Sequence, residues 1–331
     1  MKKCLKITGI IVLVLLLAFG VFAFIWYNGK SYKDFYTHAT KEFEVPGLDD
    51  GLVPQGLDYH EESQNFFVSG YMKEEDSASR IYVVGDQVKY FTLKLDGEDF
   101  FGHAGGVAVY GDYGYLVGDK KLQVFNINDA LALENGQSLD ILASFDAPNG
   151  ADFINIQDGK VYLGEFYHEK KYPTSENHHI TTSDNQTNYA ITFVYNIQDS
   201  NSVPYHFDIN NPSFAISTTE KIQGLCLSPN GKIVLSSSWS IPDSHLLVYK
   251  PFSQIEPQTF TFNDSKDIDL YVLDGSNLLK SLVLPSMSEE VTLLGNKVFI
   301  IFENACTKWK LITRHKNTHA YSFDINKLLE T

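Results

Sequence analysis

The chain has 331 residues, of which 23 are Phe and 19 are Tyr, and its formal net charge at pH 7 is -15. The first 30 residues carry four lysines and no acidic residue, so the rest, with 22 basic and 41 acidic side chains, has a charge of -19. This negative charge argues against nucleic acid as a partner, because the phosphates would be repelled. It also disfavours close electrostatic docking on anionic lipid.

The N-terminus contains a long apolar run. Residues 7–27 are 21 residues without a charged side chain, and a helix of that length crosses the hydrocarbon core of a bilayer, about 30 Å thick. Lys2, Lys3 and Lys6 precede it, so residues 1–6 are expected to stay in the cytoplasm. We predict an uncleaved signal anchor, which makes this a single-pass plasma-membrane protein with an extracytoplasmic C-terminal domain. The alternative is a secreted form released by cleavage.

Residues 28–41 are predicted to be a juxtamembrane linker and residues 42–331 a single domain. Within this domain one sequence pattern is repeated five times, with copies that start near residues 56, 106, 152, 224 and 290. Each copy has a small or polar start, a short apolar strand, a tight turn and a second apolar strand. A strand-built repeat of this length is typical of the blades of a β-propeller.

The repeats predict an all-β propeller of five four-stranded blades, with six blades as the alternative. The second blade is expected to end in a fourth strand at residues 139–145. The fifth blade lacks a fourth strand at the C-terminus, and the strand-like residues 42–45 are predicted to pair with it and close the ring. Closure removes sheet edges that would otherwise aggregate.

Two polar insertions, residues 168–188 and 251–268, interrupt the repeat. The first contains three histidines and is predicted to be a solvated loop, because their spacing fits no zinc-site pattern. The three cysteines of the chain form no CxxC site. Cys226 and Cys306 could be two buried thiols or a disulfide, and the sequence leaves both possibilities open.

Several short phrases carry a resemblance to known propellers. Across residues 42–329 the chain resembles bacterial extracytoplasmic β-propellers of the gluconolactonase-like and other repeat types. The matching phrases are Gln55-Gly56-Leu57, Gln223-Gly224-Leu225, Ser228-Pro229-Asn230-Gly231-Lys232, Val124-Phe125-Asn126-Ile127 and Val194-Tyr195-Asn196-Ile197. None of them is a catalytic motif, so the resemblance implies the fold and specifies no reaction.

The repeat also predicts where a site would lie. In a propeller, the start of each innermost strand and the end of each second strand face the same mouth of the central channel. A concentration of carboxylates, amides and aromatic rings at that mouth is the best candidate site in the chain. The strand-start positions are Gln55, His103, Asp152, Gln223, Glu289 and Glu290, and the strand-end positions are Tyr71, Asp119, Glu165, Phe166, Trp239 and Glu303.

These carboxylates allow two kinds of chemistry. Asp152, Glu165, Glu289, Glu290 and Glu303 could hold Ca²⁺, which takes six to eight oxygen ligands and could polarise a lactone or ester carbonyl. Alternatively, Glu289 or Glu290 could act with Glu303 or Asp152 as a catalytic pair on a glycosidic bond.

The site could also bind a ligand without turnover, with Tyr71, Phe166 and Trp239 stacking on a sugar or peptide. The competing structural interpretation is that acidic residues at strand ends are solvated or cap neighbouring amides. We predict a membrane-anchored, extracytoplasmic ligand-binding or protein-interaction module. It would act through the funnel, which is the mouth of the central channel, and through the loop face, which is the set of loops around that mouth. The alternative is a membrane-tethered hydrolase of a lactone, ester or glycoside.

Overall fold

The computed structural model describes residues 11–21, 23–24, 31–198 and 201–330. Residues 11–21 and 23–24 are helical. Among the described residues, no helix is long and apolar enough to cross a bilayer. The predicted span of residues 7–27 lies partly outside the described residues, and the predicted cytoplasmic residues 1–6 lie wholly outside them.

The rest of the described chain contains 26 strands and several short helices. In chain order the strands are β1 (Thr40–Glu44), β2 (Leu52–His60), β3 (Asn65–Met72), β4 (Arg80–Val84), β5 (Val88–Leu95), β6 (Glu98–Asp99), β7 (Gly106–Tyr110), β8 (Tyr113–Gly118), β9 (Lys121–Asn126), β10 (Ser138–Asp140), β11 (Ala143–Asp146), β12 (Phe153–Gln157), β13 (Lys160–Gly164), β14 (Ile180–Thr181), β15 (Thr187–Asn188), β16 (Ala190–Asn196), β17 (Phe214–Thr218), β18 (Ile222–Leu227), β19 (Lys232–Ser237), β20 (Ser244–Pro251), β21 (Gln258–Phe262), β22 (Lys266–Val272), β23 (Leu278–Leu284), β24 (Ser288–Leu294), β25 (Lys297–Phe302) and β26 (His319–Phe323). The α-helices span Lys33–His38, Ile127–Ala132 and Ile325–Leu329, and the 3₁₀ turns span Glu176–His178, Pro204–His206 and Phe252–Gln254.

Five sheets surround one axis, which confirms the predicted all-β, five-bladed propeller. From the axis outward the blades are β2–β3–β4–β5, β7–β8–β9–β11, β12–β13–β16–β17, β18–β19–β20–β23 and β24–β25–β26–β1. Each innermost strand packs against the innermost strands of both neighbouring blades. These inner strands are buried on both faces along most of their length, so their buried residues are consecutive rather than alternating.

The N-terminal strand closes the ring as predicted. β1 pairs antiparallel with β26, with Lys41 opposite Tyr321. The Glu42 carboxylate accepts a hydrogen bond from the Ser322 hydroxyl and lies 3.2 Å from Lys297 Nζ. The fifth blade is therefore built from both ends of the domain, which leaves no open junction in the ring.

The prediction of four strands per blade is wrong for blades 1 and 3. The segment 139–145 is not one strand: β10 joins the outer edge of blade 1 by parallel pairing with β5, and β11 completes blade 2. Similarly, the β21–β22 hairpin of the second insertion extends blade 3, because β22 pairs in parallel with β17. The outermost strand of a blade has unpaired backbone N–H and C=O groups. In blades 1 and 3, strands from nearby segments form hydrogen bonds with these groups.

The segment before the first strand is packed against the propeller. Phe35, in the helix Lys33–His38, is fully buried, and its ring lies 5.7 Å from those of Phe302 and Phe323. The Tyr32 hydroxyl donates to Asp243 at 2.6 Å. The chain is therefore fixed to the fourth and fifth blades from Tyr32 onward.

Cys226 and Cys306 are both buried and both free. Burial raises the pKa of each thiol, to about 11 for Cys306. Of the two possibilities left open by the sequence, the structure has the two separate thiols.

Candidate functional site

Three inner strands are irregular at the mouth of the central channel. β2, β18 and β24 each contain a β-bulge near their first residues. A bulge leaves the extra residue unpaired and changes the direction of its side chain. The extra residues are Gln55 in β2 and Gln223 in β18, while in β24 Glu289 and Glu290 together face one residue of β25. Equivalent positions of the repeat therefore place polar side chains at the same height along the channel axis, near its mouth.

Glu290 occupies the axis of the propeller. Its carboxylate accepts hydrogen bonds from the backbone N–H groups of Leu57 at 2.9 Å, Val107 at 3.0 Å and Ile154 at 3.2 Å. These amides belong to the innermost strands of blades 1, 2 and 3, whereas Glu290 belongs to blade 5. Burial raises the pKa of Glu290 well above its usual range, against the effect of these donors. The side chain thus ties four blades together at the centre.

Glycines allow the inner strands to pack closely around Glu290. Gly56, Gly106 and Gly224 stand in β2, β7 and β18 where Glu290 stands in β24. A Cβ atom on Gly106 would lie 3.0 Å from Glu290 Oε1, and one on Gly224 would lie 2.8 Å from Glu290 Cα. The recurring glycine of the repeat is therefore needed for close approach at the axis.

We expect Gly56→Ala to destabilise the propeller. The added Cβ would lie 2.5 Å from Val107 N and would also overlap the Ser69 hydroxyl, and overpacking of this kind costs about 1–3 kcal/mol. Urea unfolding would measure the loss. The control is Gly295→Asn, in a hairpin turn with φ 61° and open space around the Cβ position, where Asn tolerates the backbone. Equal stability of the two variants would contradict this account.

Glu289 and Glu303 form a carboxylate pair at the mouth. Glu289 is 2% exposed, and its carboxylate has no hydrogen bond or ion pair with any residue that the structure describes. Burial raises its pKa well above the usual range, and the charges of Glu303 and Glu290 add to the effect. Glu303 accepts a hydrogen bond from Gln55 Nε2 at 3.2 Å. Burial raises the pKa of Glu303 to about 7, although Lys308 acts against this.

Tyr71 lies beside the carboxylate pair. Its hydroxyl accepts a hydrogen bond from Lys308 Nζ at 2.9 Å, and its ring packs 4.9 Å from that of His103. Burial raises the pKa of Tyr71, and the charges of Glu303 and Glu289 add to it, so the hydroxyl stays protonated at neutral pH. Sequence analysis missed Lys308. Its position in the connection from β25 to β26 could have identified it, because connections between second and third strands lie at the mouth.

The other side of the mouth is lined by aromatic rings. The ring of Trp239 lies 4.5 Å from His168, 5.6 Å from Phe166 and 5.8 Å from Tyr172, and we call these four residues the aromatic wall. Tyr172 also contributes to the raised pKa of Tyr71. The aromatic wall and the carboxylate pair therefore share one mouth. Sequence analysis identified Phe166 and Trp239 but not Tyr172 and His168, which belong to the polar insertion.

Asp152 and Glu165 are engaged with the protein itself. Asp152 accepts the Phe166 N–H at 2.8 Å, and burial raises its pKa to about 7. Glu165 is 3% exposed, accepts the Ile191 N–H at 2.8 Å and lies 2.9 Å from Nδ1 of His178. Burial raises the pKa of Glu165 against these partners. His178 is buried as well, so the prediction of a solvated loop is wrong at this residue.

The remaining predicted positions lie at the edge of the mouth. Gln223 is half-buried, and its side chain makes no hydrogen bond within the described part of the chain. Asp119 is exposed and accepts the backbone N–H of His103 at 2.8 Å. The structure thus brings Gln55, Tyr71, His103, Glu289 and Glu303 together, while Phe166 and Trp239 stand opposite. The binding and catalytic roles assigned to these residues stay predictions.

The predicted calcium ligands do not form a metal site. In the described ranges, no group of three or more His, Cys, Asp or Glu side chains is placed to hold a metal ion. Ca²⁺ needs six to eight oxygen ligands, but the oxygens of Glu290, Glu165 and Asp152 accept backbone N–H groups instead. The residues present therefore do not fit the ion.

No protein family and no curated protein matches the sequence. Solved structures with a similar fold include three propellers of low sequence identity. They are the PQQ-bound aldose sugar dehydrogenase of Streptomyces coelicolor (12% identity, TM-score 0.46, 86% of this chain and 97% of that chain), a putative glucose dehydrogenase of Thermus thermophilus (12%, 0.42, 86% and 98%) and the calcium-binding protein regucalcin of Agrobacterium tumefaciens (8%, 0.41, 86% and 93%). At these values the similarity carries no argument about activity. The fold and its mouth define the class of this protein: a β-propeller with a buried carboxylate pair at one end of its central channel.

Proposed function

We propose that the mouth binds a small polyhydroxylated ligand such as a sugar, in a propeller that the N-terminal apolar run tethers to the outer face of the plasma membrane. The observation that carries the proposal is Glu289, a buried carboxylate with no partner among the described residues. Burying such a group costs stability unless it is paired. Groups of this kind cluster at functional sites, and a ligand hydroxyl would supply the missing hydrogen bond.

The chemistry of the mouth favours a sugar over an apolar ligand. The carboxylate pair has raised pKa values, so near neutral pH it offers both a hydrogen-bond donor and acceptors. Gln55 and Tyr71 add further polar groups beside it. The aromatic wall offers flat apolar faces for the C–H side of a sugar ring.

A membrane-tethered hydrolase of a lactone, ester or glycoside is the second candidate. It is favoured by Glu303, whose pKa of about 7 suits a general acid at neutral pH. Glu289 would be the second carboxylate, and glycoside hydrolysis needs the two groups roughly 5–9.5 Å apart.

We expect sugars to raise the melting temperature of the full-length protein. A ligand that binds only the folded state stabilises it by about 2.7 kcal/mol at a hundredfold excess over Kd. The measurement is thermal melting with a panel of monosaccharides, disaccharides and lactones, with and without EDTA. Glu289→Gln and Trp239→Ala should abolish the shift. The control Glu61→Gln, in the exposed turn between β2 and β3 at the opposite end of the channel, should retain it.

The outcomes separate the two candidates. Product formation that Glu303→Gln abolishes would establish the hydrolase. A shift without turnover would establish the binding module. No shift with any sugar or lactone would reject the proposal and leave protein interaction through the loop face as the remaining function.

A further inference from the structure

We propose that the connection between β25 and β26 inserts its tip into the surface of the bilayer that holds the chain, so that the mouth of the propeller faces the lipid. We call residues 306–317 of this connection the basic loop, and its tip is Leu311 and Ile312. The inference rests on the membrane tether of the proposed function, but it concerns a different part of the molecule from the carboxylate pair.

The basic loop has the composition of an interfacial segment. Leu311 is 89% exposed, the highest value among the large apolar side chains of the described chain, and Ile312 is 43% exposed. Four basic residues flank the tip and no acidic residue occurs in the loop, within a domain of net charge -19. They are Lys308, Lys310, Arg314 and Lys316. Lys310 pairs with Asp49 at 3.0 Å and Lys308 donates to the Tyr71 hydroxyl, but the loop as a whole keeps an excess of positive charge. An exposed apolar tip in such a loop is suited to the boundary between acyl chains and anionic headgroups.

The N-terminal segment meets the propeller at this same loop. The rings of Tyr32 and His315 lie 4.9 Å apart with their planes perpendicular. The hydroxyl of Tyr36 lies 3.3 Å from Nδ1 of His315. Tyr32 itself is fixed by its hydrogen bond to Asp243. Both contacts are on the mouth side, because the connections from β19 to β20 and from β25 to β26 follow second strands.

Chain length then limits the distance to the bilayer. The predicted span ends at Tyr27, five residues before Tyr32, and an extended chain covers at most about 3.6 Å per residue. Tyr32 is therefore held within about 18 Å of the end of the predicted span, and His315 lies beside it. Leu311 is only four residues from His315, so the tip is within reach of the lipid.

The other exposed apolar side chains occur on both faces, since Val88 and Tyr110, at 54% and 39% exposed, border turns away from the mouth. Phe101, Tyr172 and Ile241, at 53%, 48% and 37% exposed, also lie in connections at the mouth. Leu142 is 48% exposed but lies between Asp140 and Asp146, away from the mouth, so it lacks the basic surroundings. Positive charge and the arrival of the N-terminal segment favour lipid over a protein as the partner of the mouth face.

The test places a fluorophore at the tip of the full-length chain. Cys4→Ser removes the N-terminal thiol, the other two cysteines being buried, and Leu311→Cys then takes an environment-sensitive label. The protein is reconstituted in vesicles of phosphatidylcholine with about a quarter phosphatidylglycerol. We expect a blue shift, a several-fold rise in emission and quenching by lipids that carry nitroxides. The control is Leu142→Cys, with a comparable label on the other side of the propeller, whose emission should stay that of an aqueous probe.

Every other outcome contradicts the inference in an identifiable way. Equal, aqueous emission at both positions would show that the loop stays in solvent. A blue shift at residue 311 without nitroxide quenching would show that a protein or a second copy covers the tip instead of lipid. Failure of the chain to float with the vesicles would show that the N-terminal apolar run does not tether the protein to the bilayer. The sugar-dependent melting shift would be unaffected in each case, so failure here is distinguishable from failure of the binding site.

Discussion

Glu290→Ala is expected to lower the free energy of unfolding by about 3–9 kcal/mol. The substitution leaves the buried N–H groups of Leu57, Val107 and Ile154 without an acceptor, and each unsatisfied buried donor costs about 1–3 kcal/mol. A domain is typically stable by only about 5–15 kcal/mol. The substitution therefore removes much of the free energy of unfolding of the propeller. Urea unfolding of the wild-type protein and the variant would measure this loss.

The neighbouring residue provides a matched control. Glu289 and Glu290 are adjacent, identical in type and both buried, but only Glu290 accepts backbone hydrogen bonds within the described structure. Glu290→Gln should destabilise the fold, because its amide group would face an N–H donor. Glu289→Gln should be neutral or stabilising, because it removes a buried group that prefers to be uncharged. Equal losses for the two variants would show that Glu290 does not hold the blades together.

Stability should fall as the pH rises from about 4 to above 7. Burial raises the pKa of Asp58 to about 6 and those of Asp152 and Glu303 to about 7, and it raises those of Glu289 and Glu290 as well. The folded state therefore keeps protons that the unfolded chain releases. This contribution is fully present below the unfolded pKa values and is lost as the pH rises through the folded ones. For Asp58 alone, the shift from 3.8 to about 6 corresponds to about 3 kcal/mol.

Asp58→Asn should reduce this pH dependence without disturbing the structure. The Thr292 hydroxyl donates to one carboxylate oxygen at 2.7 Å, and the Val109 N–H donates to the other at 2.9 Å. An Asn side chain can accept from Val109 and donate to Thr292 once that hydroxyl rotates. Urea midpoints at pH 5 and pH 7.5 would be compared with those of Asp76→Asn at an exposed position. A wild-type protein that is more stable at pH 7.5 would contradict the prediction.

Much of the architecture could be predicted from local patterns. The five inner strands, their turns and the closing strand β1 are encoded by apolar runs bounded by Gly, Asn and Asp, which act over a few residues. The repeat also placed Gln55, Tyr71, Glu289 and Glu303 at one mouth, because equivalent positions of a repeat occupy equivalent places around the axis.

Partners at long range could not be predicted in this way. The sequence marked residues 139–145 as a strand, but the division into β10 and β11 depends on which blade edges are nearby. Likewise, the burial of His178 against Glu165 and the approach of Lys308 to Tyr71 depend on how loops from different blades meet.

The clearest case is the pair of adjacent glutamates at the start of β24. The sequence determined that both lie at the mouth end of an innermost strand. Only the tertiary structure decided that Glu290 crosses the axis to three backbone amides while Glu289 is left without a partner among the described residues. The physical reason is that hydrogen bonds at the axis form between strands far apart in the chain. Ring closure and a β-bulge, rather than residue type, set which carboxylate reaches them.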